Sequence, residues 1–558
     1  MIGVKNPIPG VVYAPMARLQ AYAAAGELPE IGLAEAFCRS FAANADRVAV
    51  ATAEEEISYA QLDDITDRVA AALWRLGLEP LDRVLFQSAN SRELLYAFVG
   101  CIKAGLIPVC TLAGHREREI GYLGSHTDAR LHIVQGDDAK FDLCEFALRM
   151  RDRIPTMRHI VSLGAPQHEG IPRLMDLIAA EDPVAARQGV RAAPRDPYQV
   201  AVFQLSGGTT SVPKVIPRMS NDYLLNITRT AEWLGYRPDD VMFNPMPMIH
   251  NACMVCSWTP TLITGGSFAI ASDMTPESWG ALFRARRPTW IGMIRALMPR
   301  LGAMIDRGLA DIASVRAVWC PDASRLVRES FGKPAYGMFG MSEGMNMYPP
   351  LDAPQEVLDW TVGGPMSPYD EIRLVEPGAD TEVANGEPGE LTCRGPYTFS
   401  GYYNSPDRNA EVFTADGFYR TGDLMVQREI QGRLYYAFAG RTKDVVSRGH
   451  EKINCEELEA ILAAHPAVSD CAIVGMPDPI LSERVCAYVV IKEDRQAPSI
   501  AELGDYLRNF GLAKFKWPER IEVVENLPLT RVGKLDKATM RKDIAEKLSR
   551  ETQSTSAN

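Results

Sequence analysis

The run of residues from Leu205 to Lys214 combines side chains and backbone that suit binding of a phosphate group. Its glycines, Gly207 and Gly208, lack the Cβ atoms that would keep a bulky anion away from the backbone. Successive backbone N–H groups in such a turn form an anion-binding nest, and Lys214 adds a positive charge. Rotatable hydroxyl donors come from Ser206, Thr209, Thr210 and Ser211. The run therefore predicts a phosphate-binding loop.

The apolar segment before this loop, Val200 to Gln204, predicts a buried strand that leads into it. P-loop phosphotransferases also follow a strand with a glycine-rich turn and a lysine, but their Gly-Lys-Ser/Thr sequence is absent here. Taken alone, the run is also compatible with an ordinary surface loop, because such loops are rich in glycine and serine, although a phosphate-binding loop is favoured. Further motifs are needed to separate a phosphate site from a surface loop.

Later in the chain, the three residues His250, Cys253 and Cys256 have the spacing of half a metal site. A structural zinc ion takes four ligands, usually from a second pair of cysteines or histidines, and no such pair is present in the sequence. The spacing therefore favours residues that line a pocket or a core over residues that bind a metal.

Length and charge limit the class of protein. A chain of 558 residues is too long to fold around a single hydrophobic core, so at least two domains are expected. The net charge of −12 argues against nucleic acid as the main partner. The sequence has no apolar run long enough to span a membrane and no apolar core of a signal peptide at its start. Its eleven cysteines form no disulfide framework, which predicts reduced thiols and a cytoplasmic location.

The pattern of elements predicts an α/β fold. A helix is expected over Leu33 to Ala43, and strands alternate with helices from there to about residue 330, which is typical of parallel sheets. After Gly364, short strands with glycine turns predict a small β subdomain. Beyond Asp444 the pattern predicts a compact α+β domain of about 100 residues.

Five motifs in a fixed order resemble those of one family, the adenylate-forming (acyl-AMP) ligases, which include acyl-CoA synthetases, luciferases and peptide-synthetase adenylation domains. The order of the motifs is specific, since chance matches do not keep it. The motifs are the loop Ser206 to Lys214, Phe339 to Gly344, Tyr419 to Leu424, Gly440 to Asp444, and Leu527 to Asp536.

Within this family the chain is most similar to free-standing aryl-acid ligases of the 2,3-dihydroxybenzoate and salicylate type. The segments that carry this likeness are Ala113 to Arg116, His250-Asn251 and Arg448 to Ile453. The resemblance implies activation of an aromatic acid by ATP and Mg²⁺ to an acyl adenylate, with release of pyrophosphate. The acyl group would then pass to the phosphopantetheine thiol of an aryl carrier protein, as in siderophore or antibiotic biosynthesis.

The resemblance also implies a division of the chain and a role for each motif residue. The expected parts are an N-terminal extension (1–32), an N-terminal domain of two α/β lobes plus a β subdomain (33–442), a small mobile α+β lid (443–548) and a disordered tail (549–558). The implied ATP-binding residues are Ser206, Gly207, Gly208, Thr209, Thr210, Lys214, Gly340, Met341, Ser342, Asp423, Arg441 and Lys534. Glu343 would hold Mg²⁺, Lys443 would be the hinge, and the implied catalytic residues are Lys534, Glu343 and His250.

The expected acid pocket departs from the family pattern. Its residues would be His250, Asn251, Ala252, Cys256, Asp322 and Gly340. Ala252 replaces an aromatic residue and widens the pocket, while Cys256 replaces a serine that accompanies a 3-hydroxyl group. Asn251 both donates and accepts hydrogen bonds, which predicts an ortho-substituted monocyclic acid. Asp322 either faces the substrate or caps the following helix.

Two other interpretations of the same motifs stay open. The first is an aryl-CoA ligase that uses free CoA, because its adenylation step is identical. The second is a non-catalytic nucleotide-binding protein that keeps the fold, although the joint presence of Glu343, Asp423 and Lys534 argues against it.

Overall fold

The structure, a computed structural model, describes residues 2–138, 140–166, 168–206, 213–321, 323–448, 451–479, 481–510, 512, 514–530 and 535–556. The chain divides into two compact units. The first contains the described residues within 2–206, 213–371 and 393–419, and the second those within 372–392 and 420–556.

The first unit is an α/β structure. Its helices are α1 Met16–Ala24, α2 Leu33–Ala43, α3 Tyr59–Arg75, α4 Arg92–Lys103, α5 Glu117–His126, α6 Leu143–Arg153, α7 Leu174–Ala179, α8 Pro183–Ala192, α9 Ser220–Trp233, α10 Asn251–Cys253, α11 Thr259–Thr264, α12 Pro276–Arg286, α13 Met298–Asp306, α14 Ser324–Phe331, α15 Gln355–Trp360 and α16 Pro406–Val412. Its strands are β1 Val48–Ala51, β2 Glu56–Ser58, β3 Arg83–Gln87, β4 Ile107–Val109, β5 Ala129–Gln135, β6 His159–Leu163, β7 Val200–Leu205, β8 Val215–Met219, β9 Val241–Phe243, β10 Ser267–Ala269, β11 Trp290–Gly292, β12 Ala317–Trp319, β13 Ala335–Tyr336, β14 Phe339–Gly340, β15 Asn346–Tyr348 and β16 Gly364–Pro365.

Two mainly parallel sheets form the two predicted lobes of this unit. One has the strand order β6-β5-β3-β4-β7-β8, and the other the order β13-β12-β11-β9-β10-β1-β2. The pairs are parallel except for β7 with β8 and β1 with β2, which are antiparallel. Short strands β14, β15 and β16 form a third, antiparallel sheet. The predicted α/β class is therefore confirmed, as are the helix from Leu33 and the strand from Val200.

The second unit holds the remaining sheets, although Glu371, Cys393, Arg394 and Tyr419, at the ends of three of their strands, belong to the first unit. Its elements are β17 Glu371–Val375, β18 Gly389–Arg394, β19 Tyr419–Ile430, β20 Arg433–Arg441, β21 Val445–Arg448, β22 Glu451–Asn454, α17 Cys455–Leu462, β23 Val468–Asp478, β24 Ser482–Ile491, α18 Ile500–Asn509, β25 Arg520–Val523 and α19 Lys537–Ser556. One sheet has the order β17-β18-β19-β20, and the other the order β22-β21-β24-β23 with β25 beside β24. The α+β character expected for the C-terminal region is confirmed, whereas the boundary between residues 442 and 443 stays a prediction.

Both ends of the chain contain a helix. In the segment 1–32, α1 forms, and Tyr22 and Leu28 are buried in the core. The expected disordered tail is helical as far as Ser556 in α19. The Arg520 guanidinium binds both carboxylate oxygens of Glu551, at 2.7 and 2.9 Å, and this two-bond ion pair supports the extra helical turns.

A buried cluster of charged side chains joins helices α3, α4 and α8 of the first unit. Lys103 is completely buried, and its Nζ lies 2.5 Å from Asp63 Oδ1 and 2.7 Å from Asp67 Oδ1. Arg187 contacts the same two carboxylates at 3.1 and 3.3 Å. Each charge in this cluster is therefore compensated by a neighbour.

Replacing Lys103 with alanine should lower the free energy of unfolding by about 3 kcal/mol or more, because it leaves buried carboxylates without their closest cation. Thermal unfolding followed by circular dichroism measures this effect. Arg39→Ala is the matched control, since it removes an exposed cation from a single Glu35 carboxylate, and it should change stability by less than about 1 kcal/mol. Equal losses of unfolding free energy in the two variants would contradict the role of Lys103 in compensating buried carboxylates.

Candidate active site

The predicted phosphate loop connects two antiparallel strands, β7 and β8. Where the strands end, the Ser206 N–H donates to the Lys214 carbonyl at 3.0 Å, and the Lys214 N–H donates to the Ser206 hydroxyl at 3.1 Å. These bonds close the base of the loop. The predicted residues Gly207, Gly208, Thr209 and Thr210 lie outside the described residues. The structure thus shows the position of the loop's two ends and no more.

Lys214 shares a neighbour, Tyr402, with the carboxylate that was predicted to hold the metal ion. Its Nζ is 5.2 Å from the ring centroid of Tyr402, which is the distance of a cation–π contact. The hydroxyl group of the same Tyr402 donates to Glu343 Oε1 at 2.6 Å. Tyr402 therefore contacts two candidate residues that are far apart in sequence.

Glu343 is buried and holds a fixed orientation. A second tyrosine, Tyr419, donates to Oε1 at 3.3 Å, and the hydroxyl groups of Tyr402 and Tyr419 are 2.9 Å apart. Burial, and next the negative charge of Glu343, raise the pKa of both tyrosines far above the usual value, so both hydroxyls keep their protons. The other oxygen, Oε2, accepts no hydrogen bond from the described residues. A carboxylate with one oxygen anchored and one open fits a hard divalent cation such as Mg²⁺.

The turn that carries Glu343 is held from behind by a buried arginine. The Arg218 guanidinium donates to the Ser342 carbonyl and to the Tyr397 carbonyl, each at 3.0 Å, and its side chain is fully buried. At Gly344 the φ angle is +132°, and a Cβ atom there would lie 1.9 Å from the Tyr397 carbonyl oxygen. Glycine is therefore required for the turn to pack against the backbone of Tyr397 and Thr398.

Two further predicted nucleotide residues lie in the same turn. Gly340 ends β14 and is exposed, and a Cβ atom there would meet Met338 and the Asn346 side chain. The Met341 N–H donates to the Met345 carbonyl at 3.2 Å, which closes the turn. Gly340, Met341, Ser342 and Glu343 are thus brought together in one rigid hairpin between β14 and β15.

Four of the predicted acid-binding residues follow one another on a single short helical segment. His250 caps α10, because its Nδ1 accepts the N–H of Ala252 at 3.2 Å. Its proton therefore lies on Nε2 when the ring is neutral. Asn251 is buried, and its Oδ1 accepts the hydroxyl proton of Tyr223 at 2.9 Å. The π-helix Met254–Trp258 follows, a feature that is frequent at functional sites.

Cys256 lies in this π-helix and is fully buried. The Tyr348 hydroxyl donates to its Sγ at 2.9 Å, and the Tyr236 hydroxyl donates to its carbonyl at 2.6 Å. Burial raises the pKa of the Cys256 thiol to about 12, so this residue is an apolar wall and not a nucleophile. Among the described residues, no group of three or more His, Cys, Asp or Glu side chains could hold a metal ion.

The remaining acid-pocket prediction, Asp322, lies outside the described residues. The neighbouring Trp319 ends β12 and is fully buried, and no described residue accepts its indole N–H.

In the second unit, the predicted ribose-binding residues are paired across two strands. Asp423 on β19 lies opposite Arg441 on β20, and the Arg441 Nε donates to Asp423 Oδ1 at 3.0 Å. Lys443 lies in the 3₁₀ turn Thr442–Asp444, and its side chain lies outside the described residues. Arg541 on α19 binds the carboxylate of Asp444 at 2.9 Å. Lys534 also lies outside the described residues.

Sequence reasoning missed three residues of the site, namely Arg218, Tyr223 and Tyr402. The signal for Arg218 was present, because a charged residue inside the buried strand Val215–Met219 is rare unless it is paired. The two tyrosines gave no comparable signal, since buried tyrosine is common in any core.

Within the part of the chain that is described, no helix is long and apolar enough to cross a membrane.

Two family models match most of the chain. The model of the AMP-binding enzyme family matches residues 37–403, and the model of the AMP-binding enzyme C-terminal domain matches residues 457–534. The chain therefore belongs to the AMP-binding enzyme family, whose members include the adenylate-forming ligases that its motifs resemble.

Three curated relatives have a similar degree of identity. The chain is 37% identical to the 2,3-dihydroxybenzoate-AMP ligase of Bacillus subtilis, over 90% of this chain and 92% of the relative. It is 36% identical to the salicyl-AMP ligase / salicyl-S-ArCP synthetase of Mycobacterium tuberculosis, over 88% and 87%. It is also 36% identical to the 2-hydroxy-7-methoxy-5-methyl-1-naphthoate–CoA ligase of Streptomyces carzinostaticus, over 87% and 88%.

Proposed function

We propose that this chain activates an aromatic carboxylic acid with ATP to an aryl adenylate and pyrophosphate, and then transfers the aryl group to a phosphopantetheine thiol of a carrier protein. The observation that carries the proposal is the contact of Tyr402 with both Lys214 and Glu343. It brings together a cation at the end of the phosphate loop and a carboxylate with one open oxygen. These are the groups that a triphosphate and its metal ion require.

The acid carboxylate and ATP repel each other, so the site must compensate both negative charges before they react. Glu343 would hold Mg²⁺ through its open oxygen, and the ion supplies Lewis-acid stabilisation of phosphate charge. Thr209, Thr210 and Lys214 would hold the β- and γ-phosphates. The donors nearest the reacting phosphorus would come from the Ser342 segment that Arg218 orients.

In the first half-reaction, a carboxylate oxygen attacks the α-phosphorus and the bond to pyrophosphate breaks. Lys534 would donate to the attacking carboxylate and to an α-phosphate oxygen as charge gathers there. Asp423, held by Arg441, would accept hydrogen bonds from the ribose hydroxyl groups. In the second half-reaction, a thiolate attacks the carbonyl carbon and AMP leaves.

A carrier-protein thiol is the favoured acceptor because Arg448, the basic residue at the end of β21, is already paired with a carboxylate. The Arg448 Nε and Nη2 atoms bind the two oxygens of Glu519 at 3.3 and 3.1 Å. Free CoA carries a 3′-phosphate that needs unpaired basic groups, and Arg448 is already engaged.

Eleven free cysteines, ten of them buried, support action in a reducing cytoplasm. The products would then enter siderophore or antibiotic assembly.

The alternative is an aryl-CoA ligase, which the naphthoate–CoA ligase among the relatives supports. ATP–pyrophosphate exchange tests both forms of the proposal with a panel of benzoic, hydroxybenzoic, aminobenzoic and heteroaromatic acids. Acid-dependent exchange is expected, and its absence with every acid would favour the non-catalytic nucleotide-binding protein. Steady AMP release with CoA and the best acid, without a carrier protein, would establish the CoA form.

The position of Asn251 predicts preference for an ortho-substituted acid. Asn251→Ala should reduce the preference for ortho-substituted over unsubstituted benzoic acid by about tenfold, because a specific hydrogen bond is worth roughly that factor. Exchange rates for the two acids give the ratio. The expectation is wrong if the ratio is the same in the variant and the parent protein.

A further inference from the structure

Two tyrosine hydroxyl groups approach the same oxygen of the Glu343 carboxylate. Tyr402 lies 2.6 Å and Tyr419 lies 3.3 Å from Glu343 Oε1, and the two hydroxyl oxygens are 2.9 Å apart. Each hydroxyl has one proton to donate, whereas an ionised carboxylate only accepts. If Tyr402 donates to Oε1, Tyr419 donates to Oε1 or to Tyr402. If Tyr402 donates to Tyr419 instead, Tyr419 donates to Oε1. Oε1 therefore accepts a hydrogen bond in every arrangement of the two protons.

The surrounding residues fix the position of both hydroxyl groups. The ring centroid of Phe399 is 4.9 Å from that of Tyr402 and 5.0 Å from that of Tyr419, both in edge contacts. The Phe399 N–H also donates to the Glu343 carbonyl at 2.7 Å. The Asn409 side chain accepts from the N–H of Tyr402 at 2.8 Å and donates to its carbonyl at 2.9 Å. Rings and backbone are both held, so the hydroxyl pair cannot easily leave Oε1.

This arrangement limits how Glu343 binds a cation. Each carboxylate oxygen has two lone pairs, and two hydroxyl groups lie within hydrogen-bond distance of Oε1. Oε2 accepts no hydrogen bond from the described residues. Glu343 therefore offers one oxygen to a metal ion and keeps the other for the tyrosines.

One oxygen suits some divalent cations better than others. Mg²⁺ is small, demands near-octahedral geometry and binds one or two carboxylates together with substrate phosphates. Ca²⁺ is larger, takes about six to eight oxygen ligands and often binds both oxygens of one carboxylate. A carboxylate whose second oxygen is occupied therefore penalises Ca²⁺ more than Mg²⁺.

We propose that Tyr402 and Tyr419 are specificity-determining residues, which restrict Glu343 to one metal bond and thereby make the site select Mg²⁺ over Ca²⁺. This inference rests on the proposed function, in which the cation binds together with ATP. Removal of the hydroxyl groups frees Oε1, so that both carboxylate oxygens turn to the cation. Ca²⁺ gains more from this change than Mg²⁺, because it accommodates the additional oxygen.

Phenylalanine variants separate the hydroxyl groups from the rings. Tyr402→Phe keeps the ring that contacts Lys214, at 5.2 Å from Nζ to the centroid, and the ring contact with Phe399. Tyr419→Phe likewise keeps its ring contact with Phe399. Each variant therefore removes one donor near Oε1 and leaves the packing in place. The longer distance from Tyr419 to Oε1 predicts the smaller effect.

The test measures binding of Mn²⁺, a paramagnetic substitute for Mg²⁺, to the full chain with ATP and without an acid, by electron paramagnetic resonance. Mg²⁺ or Ca²⁺ then displaces Mn²⁺, and samples with ATP alone correct for the affinity of each ion for free ATP. The parent protein should bind Mg²⁺ more tightly than Ca²⁺. This preference should fall about tenfold in Tyr402→Phe, since a hydrogen bond to a charged oxygen is worth roughly that factor, and about threefold in Tyr419→Phe.

Tyr59→Phe is the matched control, because it removes a buried hydroxyl that donates to the Leu262 and Gly266 carbonyls. It should leave the preference for Mg²⁺ unchanged. If Tyr402→Phe does not fold, Tyr419→Phe carries the test. A structural defect alone would weaken both ions together, and an unchanged ratio of Mg²⁺ to Ca²⁺ affinity in the folded variants would overturn the inference.

A parent protein without preference for Mg²⁺ would overturn it as well. In either case, acid-dependent ATP–pyrophosphate exchange by the parent protein would leave the proposed function standing. Absence of that exchange with every acid would instead overturn the proposed function.

Discussion

Replacing Lys534 with alanine should slow adenylate formation about 100-fold or more, which is the usual scale for losing one donor that stabilises transition-state charge. Transfer of the aryl group from a supplied aryl adenylate should stay nearly unchanged, because that step has its transition state at the carbonyl carbon. Single-turnover measurements of each half-reaction give the two rates separately.

The control for this variant is Lys542→Ala, which removes an exposed lysine on α19. Both half-reactions should keep their rates in this control. Lys443→Pro fixes φ in the turn Thr442–Asp444 and should impair thiol transfer more than adenylation, since the predicted lid must rotate between the steps. Equal loss of both half-reactions in Lys534→Ala, with folding intact, would make Lys534 a structural lysine and remove the main support for lid rotation.

Glu343→Gln should reduce ATP–pyrophosphate exchange by about 100-fold or more and raise the Mg²⁺ concentration needed for half-maximal rate. Glutamine keeps the shape of the side chain and an oxygen that accepts from Tyr402, but it removes the negative charge that a divalent cation requires. A Mg²⁺ titration of the exchange rate in the variant and the parent enzyme measures both effects.

Glu411→Gln is the appropriate control, because it removes an exposed carboxylate whose partner among the described residues is Arg408 on the same helix. It should leave the rate and the Mg²⁺ dependence unaltered. If Glu343→Gln retained more than about a third of the parent rate with the same Mg²⁺ dependence, Glu343 would be a structural partner of the two tyrosines and not the metal ligand.

The sequence predicted those parts of the molecule that depend on local patterns. The apolar run at Val200 predicts β7, and the glycines and lysine after it predict the loop between β7 and β8. Helix α2 has the predicted bounds, because its apolar positions recur at helical spacing. Asp423 and Arg441, which the family resemblance assigns to one ATP site, form an ion pair, and their roles toward ATP stay a prediction.

Contacts between distant segments could not be predicted in the same way. The pairing of β1 with β10, in which Val50 lies opposite Phe268, depends on chain topology and not on either segment alone. The same holds for the bond from Arg218 to the Ser342 carbonyl and for the contact of Tyr223 with Asn251.

The α19 helix shows the opposite error, in which composition was given too much weight. Residues 549–556 are polar and predicted a disordered tail, since polar segments bury little apolar surface. Glu551 nevertheless forms a two-bond ion pair with Arg520, and Leu548 packs against the cluster around Met540 and Ile544. Tertiary contacts thus extend a helix that its terminal residues alone would not maintain.

The central claim, that an acid carboxylate attacks the α-phosphorus of ATP, is tested most directly with salicylate labelled with ¹⁸O in its carboxylate. After transfer to a carrier-protein thiol, mass spectrometry of the released nucleotide should show AMP with one ¹⁸O atom, because the bond between carbon and the bridging oxygen breaks in the thiol step. Pyrophosphate should carry no label. Label in inorganic phosphate with formation of ADP, or unlabelled AMP, would contradict adenylation of the acid by this chain.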